Sequence, residues 1–179
     1  MDTIVIECDR IILRTYMMTD LDAIYGITLQ PEIEKYLPDW IAPKEQREQW
    51  LMKYEIPENK AFIDSMPGIG DNILRLSIRL KETDELIGWI TSGIKDDVPA
   101  PNREIGYAIS NKYTGNGYAT EAVKGLIKFL FDKTDTTELV AVALLDNAPS
   151  NSVIRKSGFQ YKKVIDIEGK DYYYYRLIK

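Results

Sequence analysis

Apolar residues change their spacing several times along the chain, and each change marks an element. Leu21, Ile24, Tyr25 and Thr28 recur at helical spacing behind Thr19-Asp20-Leu21-Asp22, which resembles a capping box, so a helix is predicted over about 19–29. A second helix is predicted to begin near Pro43, with Trp50, Leu51 and Tyr54 on one side, and to stop at Pro57, since the residue before a proline is pushed out of the helical region. Residues 57–72, with Pro57, Pro67, Gly68 and Gly70, read as an irregular loop of the kind that closes over a substrate.

From Ile73 the period becomes two. Leu74, Leu76, Ile78 and Leu80 alternate with Arg75, Ser77 and Arg79, and Lys81-Glu82-Thr83-Asp84 turns the chain into 85–90, an antiparallel hairpin. A strand over 103–110 follows, with Ile105, Tyr107 and Ile109 on one face and Glu104, Gly106, Ala108 and Ser110 on the other. Ala119, Ala122, Val123, Leu126, Ile127 and Leu130 trace an amphipathic helix, and residues 139–145 are apolar on both faces, as in a buried parallel strand. Strand, glycine turn, helix and strand make a β-loop-α-β crossover. A helix over about 149–157, closed by Gly158, leads to a last hairpin, roughly 159–166 and 171–178, whose tyrosines Tyr172 to Tyr175 place two rings on each face.

Composition narrows the chemistry. A length of 179 residues with 45% hydrophobic positions predicts one domain, 1–179, with an ample core. The net charge of −5 argues against a nucleic-acid partner. With no histidine in the chain, Ser-His-Asp and Cys-His nucleophile systems and His-ligated zinc are excluded, so proton transfer falls to Glu, Asp, Tyr, Lys or water. Cys8 stands alone, so neither an intrachain disulfide nor a cysteine metal cluster is expected, and no metal site is predicted. The charged N-terminal segment lacks a signal peptide's apolar region, and no run approaches the ~18 apolar residues of a membrane span; a soluble, cytoplasmic protein is the expectation.

Lys112-Tyr113-Thr114-Gly115-Asn116-Gly117-Tyr118-Ala119-Thr120-Glu121 joins a strand end to a helix start, where free N–H groups and the helix dipole face an anion: a phosphate cradle in which Gly115 and Gly117 permit close approach. It is neither G-x-G-x-x-G nor a Walker-type GK[ST] loop, so NAD and ATP lack their fingerprints. With Glu104-Ile105-Gly106-Tyr107 before it, and Asn147-x-x-Ser150 and Gly158-Phe159 after it, the chain resembles the GNAT superfamily of N-acetyltransferases, and within it the RimJ/RimL-type branch. Ile11-Ile12-Leu13-Arg14 and Asp20-Leu21-Asp22-Ala23 look like that branch's first strand and helix.

The resemblance implies a mixed α/β (α+β) GNAT fold. Its six- to seven-stranded twisted sheet is mostly antiparallel, with a central splayed parallel pair, and is flanked by about four helices. It implies acetyl-CoA as co-substrate, its pyrophosphate on Lys112, Thr114, Gly115, Asn116, Gly117, Tyr118 and Ala119, and its pantetheine arm on the main chain of Ile109 and Ser110 and on Asn147; Asn147 also reads as a helix N-cap. Lys112 stands where the family has Gln or Arg, and Asn116 where a basic residue is common, so less charge reaches the phosphates. Lys156 is a further candidate phosphate contact.

For the chemistry, an amine must lose a proton and an oxyanion must be stabilised. Glu104 is the candidate base, acting through water, and the N–H near Ile109 the candidate oxyanion donor. The family's usual thiolate acid is a tyrosine at the position of Ile154, so Ser150, matching the branch's serine, is the candidate instead. Glu121 reads as structural, accepting backbone hydrogen bonds that tie down the loop. Cys8 lies far from these motifs, which leaves direct transfer in a ternary complex. The acceptor is a protein N-terminus or a small-molecule amine, with specificity in 30–72 and the tyrosine hairpin. A non-catalytic CoA-binding sensory module is the alternative, and both monomer and homodimer are open.

Overall fold

The computed structural model describes residues 3–179. Eight strands form one sheet: β1 (Val5–Glu7), β2 (Ile11–Thr15), β3 (Leu74–Leu80), β4 (Leu86–Ile94), β5 (Arg103–Ile109), β6 (Glu138–Leu144), β7 (Gln160–Ile167) and β8 (Lys170–Ile178), in the order β1-β2-β3-β4-β5-β6-β8-β7. Every neighbouring pair is antiparallel except β5 and β6, which are parallel and register only at Glu104 opposite Val140. Beyond that point the two strands diverge, as expected of the splayed pair. The three-residue β1 brings the strand total to eight.

The helices are α1 (Leu21–Thr28), α2 (Pro31–Tyr36), α3 (Lys44–Trp50), α4 (Ile56–Ser65), α5 (Tyr118–Lys133) and α6 (Ala148–Lys156). The helical entry of α1 is not capped by Thr19: the Met17 N–H donates to Asp20 Oδ2 at 3.0 Å instead. Pro57 does not end the second helix. A π turn over Leu51–Glu55 joins α3 to α4, with the Ile56 N–H donating to the Leu51 carbonyl, five residues back. That shift of register opens the ladder just where proline has no N–H to give, so Pro57 sits in the first turn of α4 and the helix runs on to Ser65. Residues 57–65, expected as loop, are therefore helical.

The sheet buries both faces. Ile11, Leu13, Leu74, Leu76, Ile78, Ile90 and Ile105 pack with Ala122, Val123, Leu126 and Leu130 of α5, and Ile154 of α6 joins them. On the opposite face Trp89 and Ala108 pack with Ile24 and Ile27 of α1, Ile33 of α2 and Leu51. Tyr173 and Tyr175 belong to the α5 side, and Tyr174 to a small cluster with Val98 and Val140 on the other. Among the described residues no helix is long and apolar enough to cross a membrane.

Strands β4 and β5 approach closely at Gly88, where a Cβ would lie 2.2 Å from the Ala108 carbonyl oxygen. Backbone cannot yield there as a flexible side chain would. Gly88→Ala is expected to cost about 3 kcal/mol of stability, the upper part of the overpacking range, read from urea denaturation.

Candidate active site

The divergence of β5 from β6 leaves part of one strand without a ladder partner, and the phase of β5 decides which groups those are. The Ser110 N–H donates to the Ile87 carbonyl at 2.8 Å. Backbone direction alternates along a strand, so residue 109, opposite Gly88, turns its N–H and C=O away from β4 and into the gap beside β6. Of the two residues whose main chains the sequence offers to the pantetheine arm, Ile109, also the candidate oxyanion donor, thus lies open to the gap. Ser110 does not: its N–H is taken by Ile87, and its carbonyl accepts the Tyr113 N–H at 2.8 Å. Gln30 clamps this corner, donating from Nε2 to Ser110 Oγ at 3.0 Å and accepting the Asn111 N–H at 2.8 Å.

Gly117, at φ +81°, turns the chain into α5, and Gly115 is also left-handed at +79°. The first bond of the helix runs from the Glu121 N–H to the Gly117 carbonyl, so the N–H groups ahead of it have no helical acceptor. These amides, two glycines and the helix dipole fit an anionic diphosphate. The flanking side chains serve the loop itself. Asn116 Nδ2 donates to the carbonyls of Tyr113 and Thr114, both at 3.1 Å, and Thr114 Oγ1 donates to the Asn111 carbonyl at 3.0 Å. The Lys112 ammonium lies 3.2 Å from Glu85, whose carboxyl is held below its usual range first by the Tyr113 hydroxyl and then by Lys112. Lys112 thus pairs with a neighbouring carboxylate. Tyr118 stacks edge-on against Tyr113, and Ala119 follows it in the helix.

At the end of β6, Asn147 caps α6, its Oδ1 accepting the Ser150 N–H at 3.1 Å. Ser150 Oγ lies 2.9 Å from the Tyr107 hydroxyl, which also donates to the Ser150 carbonyl at 3.1 Å. Tyr107 therefore spans from β5 to the first turn of α6, bringing a phenol to the serine. Burial, outweighing the Ser150 hydrogen bond, pushes that phenol well above its ordinary range, so it stays protonated. Ile154 is core. Lys156 is exposed in the last turn of α6. Asn151, buried, holds the helix in place: Nδ2 donates to the carbonyls of Leu144 and Asn147, both at 2.9 Å, and Oδ1 accepts from Tyr175 at 2.8 Å.

Glu104 lies on the opposite face of β5, with Gly106 and Ala108. Burial, partly offset by Lys95 and reinforced by Asp97, lifts its carboxyl to about 7. A carboxylate poised there is matched to proton transfer near neutrality. At about 3.3 Å per residue, five residues of strand separate it from Ile109 by roughly 16 Å, a gap that a proton could cross only along a chain of several waters.

The register puts Arg75 opposite Thr91 and Thr91 opposite Gly106, so Arg75 shares the Glu104 face. Over it lies a cavity of about 360 Å³ whose lining includes Trp40, Arg47, Trp50, Tyr54, Glu55 and Arg75. Arg47 and Glu55 form a buried ion pair, and Arg47 sits 5.4 Å from the ring centres of both Trp40 and Trp50. Trp40 stacks on Trp89 at 4.5 Å, and Trp89 pairs with Ala108, so one wall adjoins the end of β5.

Three residues at this site carry no signal in the sequence: Gln30, Tyr107 and Arg10. Tyr107 shares the face of its strand that carries Ile105 and Ile109, and only the distance to Ser150 reveals its second role. Arg10, in the β1–β2 turn, donates its backbone N–H to Glu121 Oε1 at 2.6 Å and its Nη1 to the Asn116 carbonyl at 3.0 Å. Glu121 thus ties the loop down through Arg10 rather than by direct bonds to it. Cys8, expected far from the motifs, lies near α5: a Cβ on Gly125 would be 2.5 Å from its sulfur. Burial, followed by the Glu121 charge, raises the thiol to about 11, which makes it a poor nucleophile.

A sheet opened between two parallel strands, with a left-handed glycine turn at the helix that follows the first, is the architecture that the sequence resemblance implies. The acetyltransferase (GNAT) domain model matches residues 10–160, and the chain belongs to this family of N-acetyltransferases. It is 27% identical over 180 residues to the uncharacterized N-acetyltransferase YnaD of Bacillus subtilis, covering 97% of this chain and 96% of that one, and 30% identical to YoaA of the same organism, covering 90% and 85%. Among solved structures, RimL, the ribosomal L7/L12 α-N-protein acetyltransferase in complex with coenzyme A, superposes with a TM-score of 0.76 at 16% identity, covering 98% of both chains. AAC(6′)-Ib with paromomycin and acetyl-CoA gives 0.75 at 16%, covering 96% and 94%.

Because the Glu104 carboxyl titrates near 7 when folded and near 4.5 when free, the native state binds its proton more tightly. Stability from this group is full below about pH 4.5 and falls as pH rises through 7. Glu104→Gln is therefore expected to raise Tm above wild type at pH 8, with the gap shrinking towards pH 5 in paired thermal melts.

Proposed function

We propose that the protein moves the acetyl group of acetyl-CoA to a primary amine by direct attack, with donor and acceptor bound together. The observation that carries this reading is the Ile109 main chain facing the β5–β6 gap, in line with the amide cradle at Gly117. The cradle and the Ile109 groups would hold the diphosphate and the pantetheine arm, and acetyl-CoA supplies an activated thioester. Glu104 takes the amine's proton through water as the C–N bond forms. The Ile109 N–H donates to the carbonyl oxygen as negative charge develops there, and Ser150 Oγ–H protonates the departing sulfur as the C–S bond breaks; solvent then takes the proton held on Glu104 and returns one to Ser150. When that hydroxyl turns to the sulfur, Tyr107 donates to Ser150 Oγ in its place.

The acceptor amine enters from the Glu104 face, over the cavity built from residues 40–75. RimL acts on a ribosomal protein and AAC(6′)-Ib was captured with paromomycin; a protein N-terminus and a small-molecule amine are the corresponding acceptor classes here.

Calorimetry should show acetyl-CoA binding to the wild type and none to a folded Gly117→Trp, whose indole fills the cradle. Free-thiol release across an amine panel should accompany binding. Tight binding without release by any amine would instead support a CoA sensor. Among active-site variants, Glu104→Gln is expected to lower kcat/KM by about tenfold, less than a base in direct or one-water contact would, with a wild-type acidic limb near pH 7 that the variant lacks. Ser150→Ala and Tyr107→Phe should lower kcat with little change in the KM for acetyl-CoA; unchanged kcat in both would remove the serine from the mechanism.

A further inference from the structure

The cradle at α5 has a charge problem that its own loop does not solve. Asn116, between the glycines, is uncharged and braces the Tyr113 and Thr114 carbonyls, while Lys112 is paired with Glu85. Meanwhile Glu121 stands in the first turn of α5, mostly buried, with 15% of its side chain exposed. A carboxylate suits the positive end of a helix, but it competes there with any bound anion and repels it.

Arg10 answers both conditions. Its Nε donates to Glu121 Oε2 at 2.9 Å, and its Nη2 lies 2.9 Å from the same oxygen. Its Nη1 reaches the Asn116 carbonyl, the guanidinium lies 4.6 Å from the centre of the Tyr118 ring, and Nη2 would be 3.5 Å from a Cβ on Gly117. The cation is thus held at the left-handed residue where the amides converge. These contacts engage three of the five N–H groups of a guanidinium, and the side chain remains 47% exposed. A lysine would offer one point charge without the fork that covers Glu121 and braces the loop together.

We propose that Arg10, delivered by the β1–β2 turn, is the basic residue of the cradle: it neutralises Glu121 and faces the diphosphate of the bound CoA. This inference rests on the acetyl-CoA reading above. Four proteins test it by calorimetry with CoA and with dephospho-CoA, which keeps the diphosphate and lacks the 3′-phosphate: wild type, Arg10→Gln, Glu121→Gln and the double variant. Glutamine at 121 keeps an acceptor for the Arg10 backbone N–H.

Arg10→Gln is expected to weaken both ligands about tenfold or more, and Glu121→Gln to tighten both several-fold, with a steeper salt dependence. The double variant is expected to return to within about threefold of wild type. A double variant as weak as Arg10→Gln would reduce Arg10 to a structural brace and overturn the proposal. A loss confined to CoA would overturn it in favour of a 3′-phosphate contact. If Arg10→Gln does not fold, Glu121→Gln alone decides, and unchanged or weaker binding counts against the proposal. No CoA binding by folded wild type sinks the acetyl-CoA reading and this one with it, whereas wild-type binding without the mutational pattern sinks this one alone.

Discussion

One hydrogen bond, from the Ser110 N–H to the Ile87 carbonyl, sets the phase of β5, and the two halves of the site depend on that phase. In a strand, side-chain direction and main-chain direction alternate together with a period of two. Even-numbered residues of β5 therefore bond to β4 and point their side chains to the Glu104 face. Odd-numbered residues offer their main chains to the gap beside β6 and send Tyr107 and Ile109 to the α5 side. A slip of one residue would carry Glu104 into the apolar core, turn Tyr107 away from Ser150 and bond Ile109 to β4. Gly88 permits the close β4–β5 approach that this register requires.

Two carboxylates show how environment divides the work of one residue type. Glu104 lies in a desolvated position with a lysine and an aspartate near it, and its proton affinity rises into the working range. Glu121 is instead bound by a guanidinium and a backbone N–H, which fix the position of its carboxylate in the first turn of α5. The first is suited to moving a proton; the second is suited to holding β1–β2, the loop and α5 together. The first depends on charges from the neighbouring loop, Lys95 and Asp97, the second on Arg10, 111 residues away.

Periodicity carried most of the fold. The alternation in β3, β4 and β5, the α5 stripe and the doubly apolar β6 were each legible, because local pattern and burial agree there. The left-handed turn into α5 was legible too, since two glycines before a helix mark a backbone of that kind. Pro57 misled because a proline's effect depends on which carbonyl lies four residues behind it, and the π turn, formed by tertiary packing of Leu51 and Glu55, changes that partner. Arg10, Tyr107 and Gln30 were not legible as site residues. Each acts across more than 40 residues of chain, on a partner that only the sheet order brings near.

The same contrast explains why family is easier to read than acceptor. In the proposed function the cofactor side is supplied mainly by main-chain groups of Ile109 and the Gly115–Ala119 turn, and every residue type carries an N–H and C=O, proline's N–H excepted. Substitutions such as Lys112, Asn116 and Ile154 leave that framework intact, and the fold persists at TM-scores near 0.75 with only 16% identity. The acceptor side is the reverse. Trp40, Arg47, Trp50, Tyr54 and Arg75 define it by side chains alone, on helices whose path depends on an irregular turn. In that cavity Arg47 and Arg75 each already face a carboxylate, in the pairs with Glu55 and Glu58. Asp39 also lines the cavity, leaving one carboxylate in excess over the two guanidinium groups, so in the proposed function this residual charge and the shape of the aromatic walls together would select which amine approaches Glu104.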